Sequence, residues 1–555
     1  MRPFYTHFLI IYFGISLSAS AQVLIDWQKS LENNSRNNLE NIIATTDGGF
    51  FLYGISSVGS ISLDMWVIKM DAEGEILWEQ KYGGDETQSA ETAIQTSDGG
   101  YLLGGFDFFE NANESERGWY DTWLLKIDAE GNVEWDQSFG GDQQEMALAI
   151  TETTDGYVIV SKSNSTASFD KSTISYGFDD FWIVKVDKKG NKIWDRTYGG
   201  EGQDVPTSIL ATPDGGYLIG GTTKSGISGV KTSALKGDSD YWLIKTDSEG
   251  NKQWDKSFGG MLQDDMISML PATDGSYFLA GYSSSEQDQE KSAQRRGSYD
   301  YWVVKVDLNG NKLWDKAYGG SNWDRLGAAA NYPGGGIILG GQSSSRFSGE
   351  KSENTRGRVD YWIVRIDEEG DVVWDKTLGG ALDEELYGLA VNNDKEIVVF
   401  GLSRSLISGD KLTDIPGEDD FLILKLKEGE APSPPTDKTN VSIAWDKAYD
   451  AETLVAMDRI PENKFVLAGN GNRDFWLSVI NRDGTLIWEK YYGGAALEYL
   501  TTFAKGKDGG FLLGGFSELV RPTNGGYTSS GEREVWVVKV DSQGKYAMGK
   551  VLWWQ

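Results

Sequence analysis

Residues 300–320 read DYWVVKVDLNGNKLWDKAYGG, and the fold follows from how this stretch is built. YWVVKVD is a β-branched and aromatic run, the composition of a strand buried on both faces. LNGN supplies the asparagine and glycine of a tight turn, and KLWDKAY then returns as a second strand. The same pattern recurs at a spacing of 60 residues, as DYWLIKTDSEGNKQWDKSFGG from Asp240 and DYWIVRIDEEGDVVWDKTLGG from Asp360. Upstream of each copy lies a second pair of strands around a DGG turn, as in AETAIQT and YLLGG on either side of Ser97–Gly100. We name the four strands of a repeat a to d in chain order.

Following the strand-c tryptophan along the chain gives Trp66, Trp123, Trp182, Trp242, Trp302, Trp362, then Leu422 in its place, Trp476 and Trp536, hence nine repeats. A second tryptophan 12 residues later marks strand d, from Trp78 to Trp488; Trp445 is displaced and Trp27 stands alone at the start. A single repeat of about 60 residues has two apolar faces and can bury neither alone, so stacking is required. The expected fold is all-β: a single β-propeller of four-stranded antiparallel blades, nine in number with eight as the alternative. Core packing, rather than a carbohydrate platform, is the reading for the regularly spaced tryptophans. The segment VLIDWQKSL, resembling a strand d, is expected to close the ring against strand c of the ninth repeat (535–541), with the tail GKVLWWQ as competitor. Residues 427–440, KEGEAPSPPTDKTN, read as a Pro-rich insertion within one ring.

The order DGGYLLGG, polar loop, DYWVVKVD, GNKLWDKAYGG resembles the repeat of a group of secreted β-propeller proteins common in Bacteroidota, and the blade is similar to that of quinoprotein-type propellers. The resemblance covers nearly the whole chain and implies a scaffold; it implies no particular function. It departs from the secreted group in having no evident C-terminal sorting domain. It departs from the quinoprotein enzymes in lacking their vicinal cysteine pair.

Residues 1–21, MRPFYTHFLIIYFGISLSASA, have the basic start, apolar centre and small-residue end of a signal peptide, so residues 22–555 are expected to form the exported propeller. Periplasmic, outer-membrane-associated and secreted destinations fit equally, and no transmembrane helix is expected. The chain has no cysteine, and its one histidine, His7, lies in that leader. Cys–His and Ser–His–Asp chemistry and imidazole or thiolate metal sites are therefore closed to the mature protein. No cofactor is expected. The net charge of −32 disfavours nucleic acid. What remains is a non-catalytic binding or scaffold protein at the cell envelope or exterior, recognising a protein or glycan; the alternative is a carbohydrate-active hydrolase or lyase using paired carboxylates.

Strand alternation places the b-to-c and d-to-a connections on one face, and the long, variable loops are there. An acid recurs four residues after the GG pair, at Glu145, Asp204, Asp264, Asp324, Glu384 and Glu498. These carboxylates are binding candidates expected to circle the mouth of the axial channel, although local hydrogen bonding to backbone amides is favoured for them. Trp119 and Trp323 fall off the repeat pattern on the same face and are the aromatic candidates. The recurring Lys171, Lys231, Lys291, Lys351 and Lys411, with Asp180, Asp240, Asp300, Asp360 and Asp420, read either as a ligand pocket on each blade or as ties holding each loop to its own blade, the second being favoured.

Overall fold

The described residues form nine antiparallel four-stranded sheets, one for each repeat. The computed structural model describes residues 23–552 apart from 33–36, 59–61, 85–86, 109–117, 413–419, 429–452, 461–463, 472–473, 482–484, 494–496, 507–508 and 524–525. The leader (1–21), residues 429–440 of the Pro-rich insertion and Trp445 lie outside the described residues. Among the described residues all regular elements are strands, and no helix is long and apolar enough to cross a membrane.

Sheets one to six span 37–82, 87–139, 145–198, 204–258, 264–318 and 324–378. Sheet seven takes strands a to c from 384–428 and its fourth strand from Val23–Glu32, which pairs antiparallel with Asp420–Glu428 from Val23 opposite Glu428 to Glu32 opposite Asp420. The N-terminal strand thus closes on the seventh repeat and not on the ninth, taking beside strand c the place that strand d fills in the other sheets.

The first strand of each of these sheets meets the first strand of the next, and that of sheet seven meets that of sheet one. Leu39, Phe50 and Trp66 of sheet one share a core with Val398, Phe400 and Phe421 of sheet seven. Seven sheets therefore complete a cycle with their a strands around the axis, and the expectation of one nine-sheet ring is corrected. The chain divides into two compact units, Met1–Pro434 and Pro435–Gln555. The second holds sheets eight (453–492) and nine (497–552), packed through Val466, Leu477, Tyr492, Leu513 and Val538.

The two tryptophans of the repeat make different joints. Trp182, Trp242, Trp302 and Trp362 of strand c are fully buried, and each of the last three rests against an aromatic of the preceding sheet, with Phe181–Trp242, Tyr241–Trp302 and Tyr301–Trp362 centroids 5.0, 4.7 and 4.9 Å apart. The strand-d tryptophan lies over the c-to-d turn of the following sheet. At Gly310, which has φ of 71°, an added Cβ would fall 2.6 Å from Trp254, so glycine is needed for both backbone angle and room. Trp27 of the closing strand stands in the same relation to Gly74 of sheet one, 2.7 Å from the added Cβ, so ring closure reuses the ordinary joint between sheets.

One tie within the sheets had no clear signal in the sequence. The aspartate of the DGG turn pairs with the lysine of strand c, as in Asp214–Lys245 at 2.8 Å and Asp98–Lys126 at 3.2 Å. The lysine is almost fully buried while its ammonium reaches the turn, an arrangement that pins the two ends of strands b and c together.

Candidate functional site at the long-loop end of the axis

Glu145, Asp204, Asp264, Asp324 and Glu384 each open strand a of their sheet and have no exposed surface; Glu498, in sheet nine, is also buried. Their partners explain why. The second glycine of each GG pair donates its N–H to the acid four residues on, from Gly141 at 2.7 Å, Gly200 at 2.8 Å, Gly260 at 2.7 Å, Gly320 at 2.8 Å and Gly380 at 2.9 Å. A serine at the end of strand b or just beyond it donates as well, among them Ser163 to Glu145 at 2.6 Å, Ser225 to Asp204 at 2.8 Å and Ser345 to Asp324 at 2.9 Å. These acids hold the d-to-a turn closed instead of facing the axial opening, an arrangement of the local hydrogen-bonded kind favoured for them over an open binding ring.

Each acid also lies beside the aspartate that opens strand c of the preceding sheet. The first glycine of the GG pair sits between them: a Cβ on Gly259 would be 2.2 Å from Asp240 Oδ1 and 3.0 Å from Asp264 Oδ2, and one on Gly379 would be 2.5 Å from Asp360 Oδ1 and 2.6 Å from Glu384 Oε2. Burial, with the neighbouring acid adding to it, pushes Asp180 up to about 7 and Asp240 and Asp324 up to about 6, and raises Asp360. Such a pair holds a proton to a higher pH than an isolated carboxyl does, as expected of two adjacent carboxyls out of water.

The recurring lysines tie loops to their own sheet. Lys231 Nζ donates to Ser257 Oγ at 2.9 Å and, at 2.5 Å, to the Ser233 carbonyl of its own loop. Asp255 accepts from the Ser233 amide at 2.9 Å and from Trp242 Nε1 at 3.1 Å. The indole-to-aspartate bond repeats at Trp182–Asp195, Trp302–Asp315 and Trp362–Asp375. Burial pushes Lys171, Lys231 and Lys351 down to about 8. These long loops are thus fixed to a rigid frame.

With the repeated residues occupied in this way, the side chains that break the repeat define the site, and they lie on the face of the long loops. Trp119 is 54% exposed there, next to Tyr120, whose ring meets Phe106 and Phe108 at 5.0 and 4.9 Å. An open cleft of about 560 Å³ follows between sheets three and four, lined by Gln144, Phe178, Asp179, Gln203 and Lys224 among others. Trp323, half-buried, immediately precedes strand a of sheet six and bridges to Tyr299 of sheet five. Tyr282 and Tyr299 meet edge to face at 5.9 Å, and Arg325 lies 4.6 Å over the Tyr282 ring. Sequence reasoning singled out the two tryptophans. It passed over Tyr282, Tyr299 and Arg325, which look like ordinary strand and loop residues until their equivalents around the ring are superposed by register.

A second departure lies farther along the axis. A bulge in strand a, between Leu39 and Asn41 in sheet one and between Ala90 and Thr92 in sheet two, leaves Glu40 and Glu91 outside the ladder at equivalent places. The other five sheets carry Leu148, Thr207, Ile267, Gly327 and Tyr387 there. Burial, and then the charge of Glu91, push Glu40 up to about 7, against a hydrogen bond from Asn38. Ser89 donates to Glu91 at 2.8 Å. Among the described residues no three His, Cys, Asp or Glu side chains are grouped as a metal site would need.

The fold and its axial end define an all-β, propeller-like protein with repeated four-stranded sheets. No family model matches the chain. It is similar to the regulatory protein FlaEY of Caulobacter vibrioides, 24% identical over 220 residues, covering 38% of this chain and 23% of that protein. The match thus spans less than a quarter of the relative's length. Among solved structures it is similar to hydrazine synthase of Kuenenia stuttgartiensis (14% identity, TM-score 0.35, 57% of this chain and 76% of that one). It is also similar to BBS1N in complex with ARL6DN (8%, 0.40, 74% and 98%) and to Drosophila Plexin A in complex with Semaphorin 1b (9%, 0.38, 73% and 88%). At such scores the likeness carries no inference about function.

Proposed function

We propose that this chain is an exported, non-catalytic binding protein of the cell envelope or exterior whose first unit, a seven-bladed propeller, recognises a protein or glycan partner at the long-loop end of its axis. The observation that carries this reading is that Trp119, Phe178, Tyr299 and Trp323, from four sheets, all stand exposed or half-buried on the face of the long loops, on a frame whose repeated acids and lysines are already engaged in holding it together. Aromatic side chains on rigid loops are the usual anchors of recognition. The leader-like start and the resemblance to secreted propellers support export. The test is capture from an envelope extract and on a glycan array by wild type, Trp119→Ala and Trp323→Ala. Loss of capture with unchanged melting supports the reading, and capture unaffected by both substitutions defeats it.

A second reading rests on Glu40 and Glu91. Two carboxyls near the axis, one holding its proton near neutral pH, are what a glycan hydrolase or lyase needs as acid and base. Cleavage of a polysaccharide that is abolished by both Glu40→Gln and Glu91→Gln would establish it in place of the first. No turnover of ester, phosphate or peptide substrates is expected under either reading.

A further inference from the structure

Going round the first unit in register, the residue two places before the bulged one in strand a is Asn38, Ser89, Met146, Val205, Asp265, Arg325 and Glu385. Only sheet six places a cation there. The residue paired with it at the end of strand b is a tyrosine only in sheet five, Tyr282. These two exceptions are in contact across the sheet boundary: Arg325 Nη2 donates to Tyr282 Oη at 2.8 Å with its guanidinium over the ring.

Behind them the hydrogen bonds run in one direction. Tyr282 donates to Asp265 Oδ2 at 2.9 Å, Gln263 Nε2 donates to the same oxygen at 2.5 Å, and Ser239 Oγ donates to Asp265 Oδ1 at 2.7 Å. Tyr299 in turn donates to Gln263 Oε1 at 3.0 Å. Asp265 has three donors on its two oxygens and acts as an orienting group, whereas Arg325 contacts that charge only through a phenol. A guanidinium has five N–H donors in a fixed fork. In an exposed arginine held by its ring stacking and by one bond, the fork is presented to solvent in a set orientation. Trp323 is two residues before Arg325 on an extended segment, so both side chains point the same way, and the backbone of Trp323 bridges to Tyr299.

We infer that Trp323, Tyr299 and Arg325 form a subsite for an acidic saccharide, the aromatic rings taking the apolar face of a uronate ring and Arg325 its carboxylate. The inference rests on the binding reading above and names its ligand class. A planar carboxylate matches the guanidinium fork as a neutral hydroxyl does not, and an aromatic flank beside the fork suits a flat sugar ring better than an isolated anion. In a protein of net charge −32, an anionic ligand is otherwise repelled, so an oriented arginine with no carboxylate partner among the described residues provides the needed local attraction. Tyr282 and Asp265 are positioning residues that keep the arginine facing outward.

Calorimetric titration of the full chain with hexagalacturonate, and with maltohexaose as the neutral control, tests this. The expected result is binding of the uronate at least 10-fold tighter than the neutral oligomer, with an affinity that falls as salt rises. Arg325→Gln should cost 10-fold or more for the uronate with little effect on any neutral binding. Tyr282→Phe, which keeps the ring but frees the arginine, should fall between wild type and Arg325→Gln. Trp323→Ala should weaken both ligands. Melting curves on the same variants exclude unfolding as the cause. Equal uronate affinity in Arg325→Gln and wild type, or no uronate binding by wild type, overturns the inference. If Trp323→Ala loses partner capture from extract while Arg325→Gln keeps it, the binding reading stands and the acidic-saccharide assignment falls.

Discussion

The acids repeated after each GG pair show why a residue's place in a repeat does not fix its role. Their spacing from the glycines is legible in the sequence, as is their position at the start of the innermost strand. Their depth is not, because strand periodicity tells which way a side chain points and says nothing of what covers it. The covering here comes from the serines near the end of strand b and from the aspartate of the preceding sheet, neither of which is near in sequence. Removing one charged oxygen, as in Asp264→Asn or Asp324→Asn, takes an acceptor away from the glycine amide and serine hydroxyls that donate to it and puts an amide donor there. Each is expected to cost about 1–3 kcal/mol and to lower the melting temperature without altering capture by the folded fraction. Gly259→Ala should be worse than Gly215→Ala, since the first drives a Cβ onto Asp240 while the second has open space and only its φ of 85° to strain. Comparing the two melting curves checks that ranking.

The paired carboxyls also set a pH dependence. In the folded state Asp180, Asp240 and Asp324 titrate at about 6 to 7, above the 3.8 of an unperturbed aspartate, so the folded chain binds more protons than the unfolded chain between these values. Stability contributed by that proton is full below about pH 4 and is lost as the pH rises through 6 to 7. Asp214 and Asp274, held down to about 2 by their bonds to Lys245, Thr212, Ser276 and Lys305, act in the opposite sense and lose their contribution only as the pH falls below 4. Melting followed from pH 4 to pH 7.5 is therefore expected to show a declining temperature, and Asp180→Asn to flatten part of the slope. A rising temperature over that interval would contradict the assignment of shared protons.

At the scale of elements, the strands and their order were legible because each repeat states them locally: a DGG turn, a β-branched strand c and an NG-type turn into strand d. The partner of the N-terminal strand was not. VLIDWQKS resembles a strand d and fits any strand c, and the repeats are too alike for pattern alone to choose among them. What chooses is the free edge of strand c at Asp420–Glu428 that Val23–Glu32 takes, together with Gln28, which accepts a hydrogen bond from the Leu412 amide at 2.7 Å and donates to the Asp410 carbonyl at 3.2 Å. Trp27 adds the same indole-over-glycine contact that joins the other sheets. Trp27→Ala is expected to cost about 3 kcal/mol, the usual range for removing a packed aromatic. Asp136→Ala in an interior sheet, where Trp123 reaches the carboxylate at a long 3.4 Å, should cost much less. Chemical denaturation of both variants tests the comparison.

For the molecule as a whole, the count of nine repeats was readable and their partition was not, since the spacing of tryptophans is the same on either side of the boundary at 434 and 435. Seven sheets satisfy one another in a cycle. In the second unit Leu512 is 42% exposed at a position where its counterparts in the first unit, among them Leu102, Phe278 and Val398, are fully buried, because no further sheet of that unit stacks beyond sheet nine. The binding proposal depends on the ring being closed, for only then do Trp119, Phe178 and Trp323 stand at fixed distances around one axis. The direct test is the thermal unfolding of residues 22–434 with and without the closing strand. Residues 22–434 are expected to unfold in a single cooperative transition, and 33–434, lacking Val23–Glu32, to lose most of that transition or melt far below it. Equal melting of the two would contradict closure by the N-terminal strand, and with it the seven-sheet ring.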